Sequence, residues 1–152
     1  MIIPARECHA CQMIVRGLRA ADLEEITATS GREPGAALRH SMALSERCWV
    51  SCDRTGFPYA IFGVAPWPSD SSLGCPWMLA TDDLYRNKRD VALFTKYFVE
   101  RMGSGYRALS NFVLATHRDS VRWLTYAGFS FIDFVPEHGV GKQPFLQFFK
   151  AT

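Results

Sequence analysis

The stretch LSNFVLATHRDSVRWLTYAGF, Leu109 to Phe129, reads in order as strand, tight turn, short helix and glycine stop. Leu109, Phe112, Val113, Leu114 and Ala115 form a nearly continuous apolar run, as in a strand covered on both faces. Asp119 then offers a side-chain oxygen to the first amides of a helix whose apolar positions are Val121, Trp123 and Leu124. Gly128 ends that helix in the left-handed conformation expected just past a last turn. Phe129, Phe131 and Ile132 open another apolar run, so the helix joins two strands and closes a βαβ-type unit.

Working outward, Ile14 to Arg19 reads as a short first strand, and Asp22 with Glu25 three residues on reads as a capping box opening a helix packed through Ile26. Turn residues fill Thr29 to Gly35, and Ala36 to Glu46 reads as a second helix through Leu38, Met42 and Ala43. Cys48 to Cys52 and Pro58 to Ala65 are two apolar runs around the turn DRTG, which predicts a hairpin. A loop from Pro66 to Gly74 leads to a strand near Trp77 to Thr81. Val91, Phe94, Phe98 and Met102, at spacings of three and four, then mark a long amphipathic helix ended by Gly103 to Gly105.

With 152 residues, 48% of them hydrophobic, the chain is long enough for one full core, so a single domain over 1–152 is expected. The formal net charge of +2 is spread along the chain and implies no specific nucleic-acid binding. Arg6 and Glu7 interrupt the first apolar residues, which predicts neither a signal peptide nor a membrane span. Five cysteines, an odd number, fit a reducing compartment better than secretion.

This order of elements resembles the GNAT acyl-CoA N-acyltransferase superfamily. The resemblance implies an α/β fold with a mixed, largely antiparallel sheet flanked by helices, its central strands splayed around acetyl-CoA. Two motifs carry that family's function. In R-G-x-G-x-G/A, glycines let backbone amides close on a pyrophosphate at a helix N-terminus. Aligned on Arg86, the small positions hold Asn87, Arg89 and Val91, and Asp90 places a carboxylate at the helix start. Arg86, Lys88 and Arg89 are the candidate cofactor-binding residues, with a solvated cationic loop as the plainer reading. The second motif, N-x-x-A-x-x-x-Y-x-x-x-G-F, is matched at Gly128 and Phe129, but His117, Ser120 and Leu124 stand at its asparagine, alanine and tyrosine positions. In members that use it, the tyrosine protonates the departing CoA thiolate. Leu124 has no proton to give, and Tyr126 lies roughly 200° further round a helix. No residue is therefore assigned a catalytic role.

The chain resembles more narrowly a family of short-tailed bacteriophage proteins, described as internal virion protein A or as phage GNAT-like. The residues that carry this are GFPYAIFG from Gly56, PWMLATDDL from Pro76, YRALSNFV from Tyr106, SVRWL from Ser120, the Gly128–Phe129 pair and the closing QFF. That resemblance implies a role in virion assembly or internal virion structure, partners among phage structural proteins or a second copy, and residence in the host cytoplasm with the virion interior as a destination. No cofactor is expected under it. The alternative implied by the wider superfamily is an active acetyl-CoA-dependent N-acetyltransferase, its pantetheine arm held by strand amides near Leu79 to Thr81.

Other signals have plainer readings. Cys8 and Cys11 have C-x-x-C spacing and would complete a thiolate zinc site with Cys48 and Cys52 if the N-terminus folded back, but small packed cysteines fit that pattern better. His117, between a strand end and a helix start, would need Asp119 to orient it as a base; a loop histidine beside a capping aspartate is simpler. The closing Phe145, Leu146, Phe148 and Phe149 read as core, or as an aromatic edge strand able to dock a partner. Trp67, in the loop PWPSD, is the candidate partner contact.

Overall fold

The computed structural model describes residues 1–4 and 9–152, with residues 3 and 4 as backbone only. Its elements are β1 (Ile2–Pro4), α1 (His9–Arg16), α2 (Ala20–Thr29), α3 (Pro34–Leu44), β2 (Arg47–Cys52), β3 (Pro58–Trp67), β4 (Asp70–Ala80), α4 (Asp83–Arg86), α5 (Lys88–Gly103), β5 (Ala108–Leu114), α6 (Arg118–Tyr126), β6 (Ser130–His138) and β7 (Gln143–Ala151). The strands form one sheet in the order β1-β2-β3-β4-β5-β7-β6. All neighbours are antiparallel except β4 and β5, which run parallel and pair only at Leu73 with Ala108 and Gly74 with Leu109. Beyond that point the two central strands part, and the sheet opens. This is the α/β fold the order of elements predicts, with a mixed, mostly antiparallel sheet flanked by helices.

Alternation along the strands builds a core on each face. Trp49 and Phe62 face α5 and α6, where they meet Val99, Met102, Leu124 and Phe129, while Val50 and Ile61 face α1 and α3 and meet Ile14 and Leu38. Phe98 adds edge-on ring contacts to both Trp49 and Phe62, with centroids 5.4 and 5.3 Å away.

The opening stretch folds as its residues dictate. Gly128 has φ +92°, its N–H reaches Thr125 O, and Phe129 N–H reaches Leu124 O, a Schellman ending with Leu124 and Phe129 packed in one cluster. The start differs: His117 is the N-cap, and Asp119 lies within the first turn without a capping bond.

Three further expectations shift. Ile14 to Arg19 is helical up to Arg16 rather than a strand, because Ala10, Cys11, Ile14 and Leu18 recur at helical spacing against Val50 and Ile61. Helix α3 starts earlier than expected, since Glu33 accepts from Gly35 N and Ala36 N at 2.8 Å with Pro34 behind it. The loop expected from Pro66 to Gly74 shrinks to Pro68 and Ser69, with Trp67 paired to Asp70; polar Ser71 and Ser72 continue an exposed strand and hide it from a hydrophobicity reading. The closing strand β7 is interior, between β5 and β6, so its aromatic run is core, as the first of its two readings has it, and β6 forms the edge.

Candidate functional site

The parting of β4 from β5 leaves a cleft of about 170 Å³, floored by the sheet and roofed by α5 and α6. Its walls include Phe62, Met78, Phe94, Phe98, Trp123 and Phe129. Main-chain groups along the two diverging edges would ordinarily face it unpaired, and several of them are paired within the protein.

On β4, Thr81 N–H bonds Tyr59 O at 2.9 Å, so by antiparallel alternation Leu79 also points to β3 while Pro76, Met78 and Ala80 point into the cleft. Pro76 has no N–H, and its carbonyl accepts from Asn111 Nδ2 at 2.8 Å. Ala80 N–H donates to Asp22 Oδ2 at 2.8 Å, and Ala80 O accepts from Arg19 N at 2.9 Å. The amides from Leu79 to Thr81, read as a pantetheine cradle, are therefore all committed within the protein.

On β5, Phe112 N–H donates to the adjacent Asn111 Oδ1 at 2.8 Å, and Leu114 N–H to Glu25 Oε2 at 3.3 Å. Asn111 thus bridges the opening, its amide nitrogen on the β4 arm and its oxygen on the β5 arm. Asp22 and Glu25, three apart on one face of α2, close the two strand ends from outside. Read as a capping box, they are strand caps instead. Sequence alone does not separate the two roles, because the spacing is the same.

The Asp22 carboxylate also carries a buried ion pair, with Arg19 Nη2 at 2.8 Å and Arg19 Nε at 3.0 Å. Burial works against the Arg19 charge, but the hydrogen bond and attraction from Asp22 outweigh it and raise its pKa. Behind Glu25, His117 sits between two carboxylates, Nε2 3.1 Å from Glu24 and Nδ1 3.5 Å from Glu25. The Glu25 hydrogen bond foremost, with Glu24 behind it, raises the His117 pKa against the opposing effect of burial. Its acid partners come from α2, not from Asp119, and through both ring nitrogens His117 ties α2 to the start of α6.

The expected diphosphate loop is occupied by α4. Arg86 ends this short helix and pairs with Asp83 at 2.9 Å; Asn87 N and Nδ2 both donate to Asp83 O; Lys88 opens α5. Arg86, Lys88 and Arg89 are exposed and do not line the cleft, whereas Asp90 and Val91 do. Leu124 is buried in the cleft wall, and Tyr126 points away, its hydroxyl donating to Ala92 O at 3.1 Å. Trp67 is half-buried at its hairpin, its ring 5.9 Å from that of Phe112. Cys8 lies outside the described residues; among those described no group of three or more potential ligands gathers as a metal site.

No family model and no curated protein matches the sequence. Solved structures do. A GCN5-related N-acetyltransferase from Kribbella flavida is 17% identical, with a TM-score of 0.72 over 100% of this chain and 97% of that one. The yncA protein of Salmonella typhimurium, solved with its cofactor acetyl-CoA, is 13% identical, with a TM-score of 0.75 over 99% and 92%. Aminoglycoside 6'-acetyltransferase type Ii is 12% identical, with a TM-score of 0.74 over 99% and 96%. The fold is that of the GNAT N-acetyltransferases.

Proposed function

Proceeding from that fold, we propose that this chain is a bacteriophage protein of virion assembly or internal virion structure, built on an acetyltransferase scaffold whose acetyl-CoA site is degenerate. The observation that carries the loss of chemistry is the engagement of the cleft edges: Asp22, Glu25 and Asn111 take the donors an extended cofactor arm would use, and Pro76 lacks one. The α4 turn and Asp90 stand where a diphosphate would approach a helix N-terminus, and a carboxylate there opposes an anion. Leu124 supplies no acid for a thiolate. The phage assignment is supported by the framework segments from Gly56 to the closing QFF that resemble the short-tailed-phage family. Under it, Trp67 contacts a phage structural protein or a second copy.

The rival reading, an acetyl-CoA-dependent N-acetyltransferase, is favoured by one feature, the cleft itself. Arg86, Lys88 and Arg89 would then hold the CoA phosphates from outside the cleft. A thermal scan in millimolar acetyl-CoA separates the two. Ligand at 100 times its dissociation constant stabilises a fold by about 2.7 kcal/mol, a shift of several degrees here. The assembly reading expects no shift, together with recovery of the protein in particles or assembly intermediates. A clear shift lost on replacing Arg86 and Arg89 would overturn it.

A further inference from the structure

The net charge is less evenly placed than composition suggests. From Arg86 to Tyr126, lysine and arginine outnumber aspartate and glutamate eight to three, whereas the rest of the chain holds nine against twelve. Most of this basic segment folds into α5 and α6, which pack on one core over the same face of the sheet. On α6, Arg118, Arg122 and Tyr126 recur every four residues, and on α5 Leu93, Tyr97 and Arg101 do the same; all six are exposed. The two rows meet where the Tyr126 hydroxyl donates to Ala92 O at 3.1 Å and Lys96 Nζ stands 5.3 Å from the centre of the Tyr126 ring. In the same way Arg101 Cζ is 5.8 Å from the centre of the Tyr97 ring.

Two properties separate this surface from an ordinary solvated helix face. Among the described residues, Lys96, Arg101, Arg118 and Arg122 form no ion pair, although Glu100 and Asp119 stand on the same helices. The Tyr97 and Tyr126 rings are 52% and 49% exposed, each beside one of those cations. None of these side chains lines the cleft. Phosphates that neutralise unpaired cations release counterions, and open aromatic faces between the cations take bases. A lipid surface would need aliphatic side chains to enter it, and on these two rows Leu93 alone is aliphatic.

We propose that the α5–α6 face binds single-stranded nucleic acid without sequence preference. Lys96, Arg101, Arg118 and Arg122 take phosphates, and Tyr97 and Tyr126 stack on bases. The surface goes beyond the assembly reading and needs no acetyl-CoA, so its failure leaves that reading untouched.

Fluorescence anisotropy of a labelled twelve-nucleotide oligothymidylate with the full chain tests it. The strand binds in 50 mM salt, and with four phosphates engaged its affinity falls about fiftyfold by 200 mM. Lys96→Gln with Arg122→Gln weakens binding on the order of tenfold and flattens the salt dependence. Arg32→Gln with Arg54→Gln, an equal charge change at exposed positions outside both helices, does neither. Tyr97→Ala weakens binding about fivefold or more, and Tyr97→Phe, which keeps the ring, restores it. The proposal is overturned if the strand does not bind, if the control pair weakens binding as much as the helix pair, or if Tyr97→Ala has no effect. It is also overturned if a duplex of the same length, polyglutamate or phosphatidylglycerol vesicles bind equally well, or if millimolar coenzyme A displaces the strand. Should a variant fail to fold, the wild-type ¹⁵N correlation spectrum decides: movement of the Tyr97 and Arg122 amides upholds the surface, and movement confined elsewhere overturns it.

Discussion

Replacing Asp22 by alanine tests whether α2 closes the end of β4. The Arg19 and Asp22 side chains are 9% and 11% exposed, and the carboxylate holds two guanidinium nitrogens and the Ala80 amide. Removing it leaves a buried cation unpaired and a strand-end N–H without its acceptor. Breaking one side of a buried pair costs about 3–5 kcal/mol. For a domain of this size that lowers the melting temperature by roughly 6–20 °C. Urea unfolding with linear extrapolation measures the loss, and the double variant Arg19→Met with Asp22→Leu separates charge from packing. The double variant recovers most of it, because a shape-filling apolar pair avoids the stranded charge. As a control, Asp83→Ala, which breaks a pair whose Arg86 side chain is 84% exposed, stays within about 0.5 kcal/mol. An Asp22→Ala loss below about 1 kcal/mol, or a double variant as unstable as the single, would refute the reasoning.

His117→Asn has a pH-dependent cost: the raised folded-state pKa makes the clamp's contribution fully present below the ordinary imidazole value of about 6.5 and lost as pH rises through the folded value, so the gap to wild type narrows in alkali; a gap that widens there would contradict the Glu24–His117–Glu25 clamp. Gly139→Ala should destabilise more than Gly105→Ala, since both have positive φ but only at Gly139 would a Cβ meet the Ala28 and Thr29 backbone; equal unfolding midpoints would count against the docking of the β6–β7 turn on α2. Cys75, whose thiol burial pushes up to about 12, should alkylate far more slowly at pH 8 than a free thiol, as read by mass spectrometry of the peptide; labelling at the rate of glutathione would place it in solvent.

What was legible in the sequence was local. The glycine at 128, the apolar strand before it, the DRTG hairpin and the three-four spacing of α5 each follow from backbone sterics or one face's periodicity, and each appears where expected. The first helix reads as a strand because Ile14, Val15 and Leu18 also suit a strand when no partner is in view. The site was less legible still. Asn111, an unremarkable polar residue in a strand, bridges to a carbonyl 35 residues away. His117 finds its acids 93 and 92 residues back in Glu24 and Glu25, rather than two residues on in Asp119. The sequence by itself determined the closing strand–helix–strand unit, the DRTG hairpin, helix α5 and the absence of glycines from the segment Arg86 to Val91, because those depend on neighbours along the chain. Only the tertiary structure decided that Asp22, Glu25 and Asn111 would close the parted strands. Those bonds join groups that only folding brings within hydrogen-bond distance.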